Sequence, residues 1–261
     1  MKQIIKNWKT IIFLAKANLK KENKATSLGY LWLVISPLIT SITFGVIFGM
    51  IFNSTKDGID YFPWYVAGYY AWSFISDAFM NGTFSIVNNK NLVTKLVFPL
   101  ELLPVIEFVK GFYKFLILLV LTVIILAIYG IYPTIYWLQL IYCVIATFFF
   151  IYGITKFMAT LVVIFRDIGN FINAIMQMLF WASGVIWSTT EIGQNYPVAV
   201  AILKLNPFLY LVETYRNAFL SRAWFWNNLQ ETIIFWIITI IFIILGNYVF
   251  KKNRDDFADL I

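Results

Sequence analysis

Long apolar runs separated by short polar connections dominate this chain of 261 residues. An α-helix needs about 20 mostly apolar residues to cross a bilayer. The pattern predicts six such segments, at 31–52, 62–80, 105–129, 136–165, 171–187 and 232–250. The stretch 188–225 contains only shorter apolar pieces broken by prolines, so we expect re-entrant or surface helices there. The predicted fold is an all-α polytopic membrane protein in which residues 1–261 form one transmembrane domain.

The first thirty residues predict an amphipathic helix that lies at the membrane interface. Their apolar positions share one helical face, and these are Ile4, Trp8, Ile11, Ile12, Ala15 and Leu19. Lysines occupy the rest of the helix, which is typical of a segment lying among lipid headgroups. The apolar run 11–15 is too short for the hydrophobic region of a signal peptide. Topological anchoring and direct contact with a substrate both remain open as roles.

Residues 88–104 connect the second and third predicted spans and do not have the pattern of a span. Asparagines open the segment, which is a turn composition. Apolar residues then follow the helical period until Pro99 ends the short helix. We expect this segment to lie at the membrane surface with its other side offered to a partner. An ordinary interfacial helix is the alternative interpretation.

Basic residues predict the orientation of the chain, because loops on the cytoplasmic side of a membrane carry an excess of lysine and arginine. Six spans put both termini on one side. Apart from Lys156 inside a span, the basic residues on the opposite side are Lys56, Lys204, Arg216 and Arg222. All the others lie with the N-terminus, so we expect both termini and residues 88–104 to be cytoplasmic.

The second predicted span is unusually aromatic. Phe62, Tyr65, Tyr69 and Trp72 recur at helical spacing and share a face. Such a stripe is typical of core packing or of an aromatic belt at the membrane interface. A pore lining along which sugar rings slide is the alternative hypothesis.

Composition excludes several kinds of chemistry. The chain has no histidine, the commonest general base and metal ligand, and Cys143 is its single cysteine. It contains no glycine-rich phosphate-binding loop ending in lysine, and no Ser/His/Asp set is possible. The net charge of +7 is concentrated at helix ends, which favours an anionic membrane or lipid over nucleic acid. We therefore expect no covalent chemistry from this chain, and if it is a pump its energy comes from a partner.

An ordered set of short motifs runs through almost the whole chain. Its members are Ser27, Leu28, Gly29, Trp32 and Pro37; Asn91, Leu92, Val93, Lys95, Phe98, Pro99, Glu101 and Pro104; Phe165, Arg166, Asp167, Ile168, Gln177, Phe180, Trp181 and Ser183; and Asn206, Pro207, Glu213, Tyr215, Arg216, Phe257, Ala258 and Asp259. With these motifs the chain resembles the membrane subunit of ABC-2 type exporters, in the branch that exports teichoic acids, O-antigens and related lipid-linked polysaccharides. One departure is Gly184, where that family usually has proline.

The resemblance implies a homodimer around a channel, in which each copy binds one separate ATPase subunit that holds ATP and magnesium. This chain would then need no cofactor of its own. The implied contacts with the ATPase are Asn91, Lys95, Phe98, Pro99, Arg166 and Asp167. The lysines implied to meet the diphosphate of an undecaprenyl-type carrier are Lys16, Lys20, Lys21 and Lys24. The stretch 188–225 would form an external gate.

The resemblance also favours the channel interpretation of the aromatic stripe and adds Trp181 to it. The expected substrate is a lipid-linked glycan exported across the plasma membrane of a bacterium, with membrane lipids as neighbours and no nucleic acid as partner. Three alternatives stay open at this point: an exporter of drugs or small lipids, a membrane enzyme acting on polyprenyl lipids, and a scaffold without transport activity.

Overall fold

The computed structural model describes residues 2–24, 27–51, 54–95, 98–165 and 167–260. The helices are, in order, α1 (Lys2–Lys6), α2 (Trp8–Lys24), α3 (Trp32–Phe44), α4 (Tyr61–Thr83), α5 (Lys90–Lys95), α6 (Leu103–Ile128), α7 (Gln139–Ile164), α8 (Asp167–Ala182), α9 (Thr189–Asn195), α10 (Pro197–Leu203), α11 (Pro207–Phe219), α12 (Leu229–Asn253) and α13 (Phe257–Leu260). A π-helix, Gly45–Ile51, continues α3. One small antiparallel hairpin, β1 (Thr55–Lys56) and β2 (Ile59–Asp60), precedes α4.

Four helical segments in these ranges are long and apolar enough to cross a membrane: Gly29–Ile51, Leu100–Ile128, Ile135–Ile164 and Phe225–Asp256. There are five if α10 and α11, which bend by 96° at their junction, form one broken span. Large apolar side chains such as Ile124 and Ile237 are exposed on these segments, as expected where lipid replaces water. The helical membrane-protein class agrees with the sequence. The count of six spans and the cytoplasmic position of both termini stay predictions.

The second and fifth predicted spans differ most from a uniform apolar helix. α4 has 23 residues, enough to cross a bilayer, but most of its aromatic side chains are buried between other helices and its polar side chains are mostly half-buried. It is the central helix of the bundle and contacts α6, α7 and α11. α8 has only 16 residues and ends at Ala182, five residues earlier than expected.

The two ends of the chain lie together at one end of the bundle. Ile11 and Ala15 of α2 are buried in a cluster with Leu102, Phe250 and Phe257. α2 therefore packs on the protein, chiefly on α6, as well as presenting lysines outward. Trp8, on the apolar face of this helix, stays 54% exposed to the surroundings of the protein.

The opposite end of the bundle is closed by the hairpin and the short helices. Asp57 and Gly58 form the hairpin turn, with positive φ angles of 51° and 77°; an Asp-Gly pair favours this backbone. The side chains of Ser188 and Asn206 cap α9 and α11 by accepting hydrogen bonds from backbone amides. Proline at the first position of α11 suits a helix start, because no intrahelical amide bond is lost there.

α7 and α12 form the tightest helix pair. A Cβ added at Gly246 would lie 2.6 Å from the carbonyl oxygen of Gly153. Only glycine permits the two backbones to approach so closely, a common device between membrane helices. The two helices are therefore packed backbone to backbone at this point.

Candidate functional site

A groove of about 720 Å³ lies between α3, α4 and α8. Its aromatic wall consists of Phe44, Tyr69, Trp72, Phe180 and Trp181. The rings of Trp72 and Phe180 meet edge to face at 5.9 Å, and those of Phe180 and Trp181 at 6.0 Å. The polar wall consists of Thr40, Ser73, Ser76, Asp77 and Gln177. The arrangement offers ring faces beside hydroxyl, amide and carboxylate groups.

The groove contains some of the aromatic residues singled out by the sequence and not others. Tyr69, Trp72 and Trp181 come together there from two helices. Tyr65 is fully buried and stacks on Tyr69 with ring centroids 5.1 Å apart, so it supports the wall from behind. Phe62 lines a separate apolar cavity of about 330 Å³ beside the π-helix. The four residues of the stripe share a face of α4, but that face is larger than the groove, so they do not all line it.

The four lysines proposed for the carrier diphosphate, Lys16, Lys20, Lys21 and Lys24, are all exposed on α2. The Lys16 ammonium lies 5.5 Å from the centre of the Tyr113 ring. An ammonium group on an exposed helix face can meet a lipid phosphate as a point charge. This face borders α6, the helix on which α2 packs.

A network of charges attaches α2 to α6 next to the groove. Glu22 of α2 lies 2.8 Å from Lys114 and 3.3 Å from Lys110, and Glu107 lies 2.5 Å from Lys110. Lys114 also reaches Asp77 of the groove wall at 3.5 Å. Burial raises the pKa of the Glu22 carboxyl, but the hydrogen bonds and charges of the two lysines outweigh it and lower that pKa. The pairing of Glu107 with Lys110 follows from their spacing on one helix.

The segment 88–104 forms α5 and a short turn of 3₁₀ helix, Leu100–Leu102. Asn91 is exposed on α5, Phe98 and Pro99 are half-buried beside the cluster at this end, and Asp167 is exposed at the start of α8. Arg166 and the side chain of Lys95 lie outside the described residues. α5 contacts α13, so the C-terminus supports this segment.

Glu101 connects the segment 88–104 to the closely packed pair of α7 and α12. The fully buried Lys156 ammonium lies 3.2 Å from the Glu101 carboxylate and donates a 2.7 Å hydrogen bond to Asn247 of α12. The ring of Phe250 lies 4.7 Å from the same ammonium. A buried charge persists when it is paired and hydrogen-bonded in this way. One lysine therefore joins three parts of the chain.

A fully buried arginine organises the opposite end. Arg216 of α11 donates hydrogen bonds to the carbonyl oxygens of Gly184 and Val185, at 2.8 and 3.1 Å, and lies 3.7 Å from the centre of a Trp64 ring system. Gly184 has a positive φ of 62°, a conformation closed to proline. The bend after α8 therefore comes from a left-handed glycine instead of the proline usual in the family it resembles.

Asp57 is the centre of a hydrogen-bonded cluster outside the helices. It accepts hydrogen bonds from Ser188 at 2.7 Å, Thr190 at 2.8 Å and Trp64 at 3.0 Å, and pairs with Arg222 at 2.7 Å. Burial raises the pKa of Asp57, but these hydroxyl and guanidinium contacts outweigh it and lower the pKa to about 2. The hairpin turn between α3 and α4 is thereby fastened to the stretch 188–225.

We expect Asp57→Asn to lower the free energy of unfolding by about 1.5 kcal/mol, the scale of a lost hydrogen bond to a charged group. Asparagine tolerates the left-handed backbone, so the substitution removes the charge and one acceptor oxygen without straining the turn. Since the folded pKa is depressed, the contribution is complete above the unfolded pKa of about 4 and is lost as the pH falls toward 2. Thermal unfolding in detergent at pH 7 and pH 3 measures it, with the exposed Asp255→Asn as control. If the difference in melting temperature between parent and variant is larger at pH 3 than at pH 7, this contribution does not come from the Asp57 charge.

Within the described ranges, no three Asp, Glu, Cys or His side chains lie close enough together to hold a metal ion. The described residues form an aromatic and hydroxyl-lined groove, with exposed lysines on α2 toward one end of the bundle. At the other end lies a cap, which consists of the β1–β2 hairpin and helices α9 to α11.

Comparison with known proteins identifies the architecture. The family model described as ABC-2 type transporter matches residues 10–220. The chain belongs to the ABC-2 type transporter family. The match runs from α2 to the end of α11 and so includes the groove, the segment 88–104 and the cap. The permease is the membrane component of a transporter and a multi-pass membrane protein.

The curated relatives that match this chain are export permeases. The permease is 23% identical over 252 residues to two O-antigen export system permease proteins RfbA from Klebsiella pneumoniae, covering 96% of this chain and 94% of each relative. It is likewise 23% identical over 252 residues to RfbA from Myxococcus xanthus, covering 96% and 95%. The homology therefore extends over nearly the full length of both proteins.

Several residues that organise the permease were not assigned a role from the sequence. They include Glu22, Asp57 and the partner of Lys156. Two features of the sequence indicate that such residues exist. The first is that Lys156 is the single charge of its predicted span, because a charge inside a membrane helix is rare and usually has a partner. The second is the Asp-Gly pair at 57–58, which indicates a hairpin turn. Neither feature names the partner, which comes from distant parts of the chain.

Proposed function

We propose that this permease exports an undecaprenyl-diphosphate-linked polysaccharide from the cytoplasmic side across a bacterial plasma membrane. The observation that carries the proposal is the groove between α3, α4 and α8, with ring faces on one wall and hydroxyl and amide groups on the other. Sugar rings have apolar faces and polar rims, so they fit such a lining. The homology to O-antigen export permeases supports the same substrate class.

The lipid part of the substrate enters at the α2 end. The exposed lysines of α2 attract the carrier diphosphate, as basic residues near a membrane surface attract anionic lipids. The glycan then passes along the groove toward the end that Asp57 and Arg216 close. Opening that end requires α9 to α11 to move relative to the hairpin.

A second copy of the permease completes the channel. The groove is open on one side, and α8 exposes the large apolar side chains of Phe171, Met178 and Trp181. Exposed apolar surface of this kind in a membrane bundle either meets lipid or another helix. A homodimer facing across the two grooves would enclose the glycan and shield it from lipid.

The energy comes from a separate ATPase subunit that holds ATP and magnesium. The segment 88–104 and Asp167, at the same end of the bundle as both termini, are the contacts through which this subunit moves the permease. The proposal follows from the membership in the ABC-2 type family together with the exposure of Asn91 and Asp167.

The test is ATP hydrolysis by the full transporter, in which the permease and its ATPase subunit are reconstituted together in liposomes. We expect undecaprenyl-diphosphate-linked oligosaccharide to stimulate hydrolysis and to move across the bilayer, whereas lipophilic drugs and short-chain lipids do neither. Replacing the lysines at 16, 20, 21 and 24 by glutamine should weaken lipid binding by up to about a thousandfold, since each of the four charges near the surface contributes about 1 kcal/mol, with basal hydrolysis retained. Stimulation by drugs and not by glycolipid would refute the proposal in favour of a drug exporter.

A further inference from the structure

The groove has a charge character that distinguishes among polysaccharides. Its lining in the described residues comprises five aromatic rings, two methionines, four hydroxyl or amide side chains and one carboxylate, that of Asp77. Ring faces and neutral hydroxyls are partners for uncharged sugars, through stacking and hydrogen bonding. A carboxylate accepts hydrogen bonds from sugar hydroxyls, but it repels a phosphate.

The cation nearest to the groove does not alter this character. Lys114 lies 3.5 Å from Asp77 but only 2.8 Å from Glu22 of α2, so two carboxylates already share its charge. Asp77 also accepts a 2.8 Å hydrogen bond from Asn81, one turn further along α4. The carboxylate is therefore held in place at the groove wall, and Lys114 neutralises it only in part because the same ammonium also pairs with Glu22.

Asp77 lies where two cavities meet. It lines the large groove and also the adjoining cavity of about 170 Å³ that reaches Trp32 and Pro37 at the start of α3. A chain moving from the α2 end along the groove passes this carboxylate. In a homodimer it would pass two of them, one from each copy.

We infer that the groove conducts an uncharged glycan and that Asp77 acts as its specificity residue, disfavouring polymers with phosphate in the backbone. The inference rests on the proposed export of a lipid-linked polysaccharide and narrows it to neutral repeat units. Only the carrier diphosphate is anionic, and it stays at the lysines of α2 while the sugars occupy the groove.

The experiment compares two lipid-linked substrates of equal length in liposomes with the full transporter: one bearing a neutral hexasaccharide and one bearing six glycerol phosphate units. We expect the parent to move the phosphate polymer about tenfold more slowly, the scale of one incompletely neutralised like charge at the wall. Gln177→Lys, which adds a cation to the groove with Asp77 intact, should raise the rate for the phosphate polymer severalfold. Asp77→Asn should narrow the ratio between the two substrates.

The matched control is Asn173→Lys, an exposed position one turn earlier on α8 that does not line the groove. It should leave the ratio as in the parent. Equal rates for both substrates in the parent, or a ratio that neither groove variant changes, overturn the inference while the proposed function stands. A parent that moves neither substrate overturns both.

Discussion

Arg216→Met is expected to lower the free energy of unfolding by about 4 kcal/mol, because removing one side of a buried charged network leaves its partners without hydrogen bonds. The carbonyl oxygens of Gly184 and Val185 lose their donor, and the Trp64 ring loses its cation. For a chain of this length the change corresponds to a fall of about 10 °C in melting temperature. Thermal unfolding of the purified permease in detergent measures it.

Two further variants distinguish the stabilisation that comes from the planar guanidinium and its several hydrogen bonds from the stabilisation that comes from the positive charge. Arg216→Lys keeps the charge but cannot bridge the same carbonyl groups, so its melting temperature should lie between those of the parent and Arg216→Met. Arg254→Met removes an arginine whose side chain is 61% exposed, and it should leave the melting temperature unchanged. A parent-like melting temperature for Arg216→Met would show that the bend after α8 is stabilised by other contacts.

Lys156→Met is expected to affect both stability and transport. The substitution removes the contacts with Glu101 and Asn247, at a cost of about 3 kcal/mol, the lower end for a buried pair because Glu101 keeps 27% of its side chain exposed to water. If the ATPase moves the segment 88–104, Lys156 transmits that motion to α7 and α12. Glycolipid-stimulated ATP hydrolysis in liposomes should therefore fall while basal hydrolysis continues.

Exchanging the charges of Glu101 and Lys156 tests whether their ion pair transmits the motion. Glu101→Lys combined with Lys156→Glu restores an attractive pair across the same contact, and it should recover part of the stimulation that either single substitution loses. Lys252→Met, at an exposed position on α12, serves as the matched control and should behave as the parent. Stimulation in Lys156→Met equal to that of the parent would exclude this route of coupling.

The sequence by itself determined the class of the molecule and much of its order along the chain. Apolar runs predicted α3, α6, α7 and α12, because the length and period of a membrane helix are local properties of the chain. The amphipathic period of residues 1–30 predicted α2 for the same reason. The motif order identified the ABC-2 type family, which the match over residues 10–220 then established.

Only the tertiary structure decided which polar groups meet. Arg216 reaches Trp64 across 152 positions of the chain, and Lys156 reaches Asn247 across 91. It also decided that Tyr69 and Trp72 line the groove while Tyr65 stands behind them, since a helical period places residues on a face but does not say which neighbour covers each part of it. These pairings matter for stability because both charges are buried, and a charge removed from water is stable only where it has a partner. That partner is chosen by the packing of whole helices, which no local pattern contains.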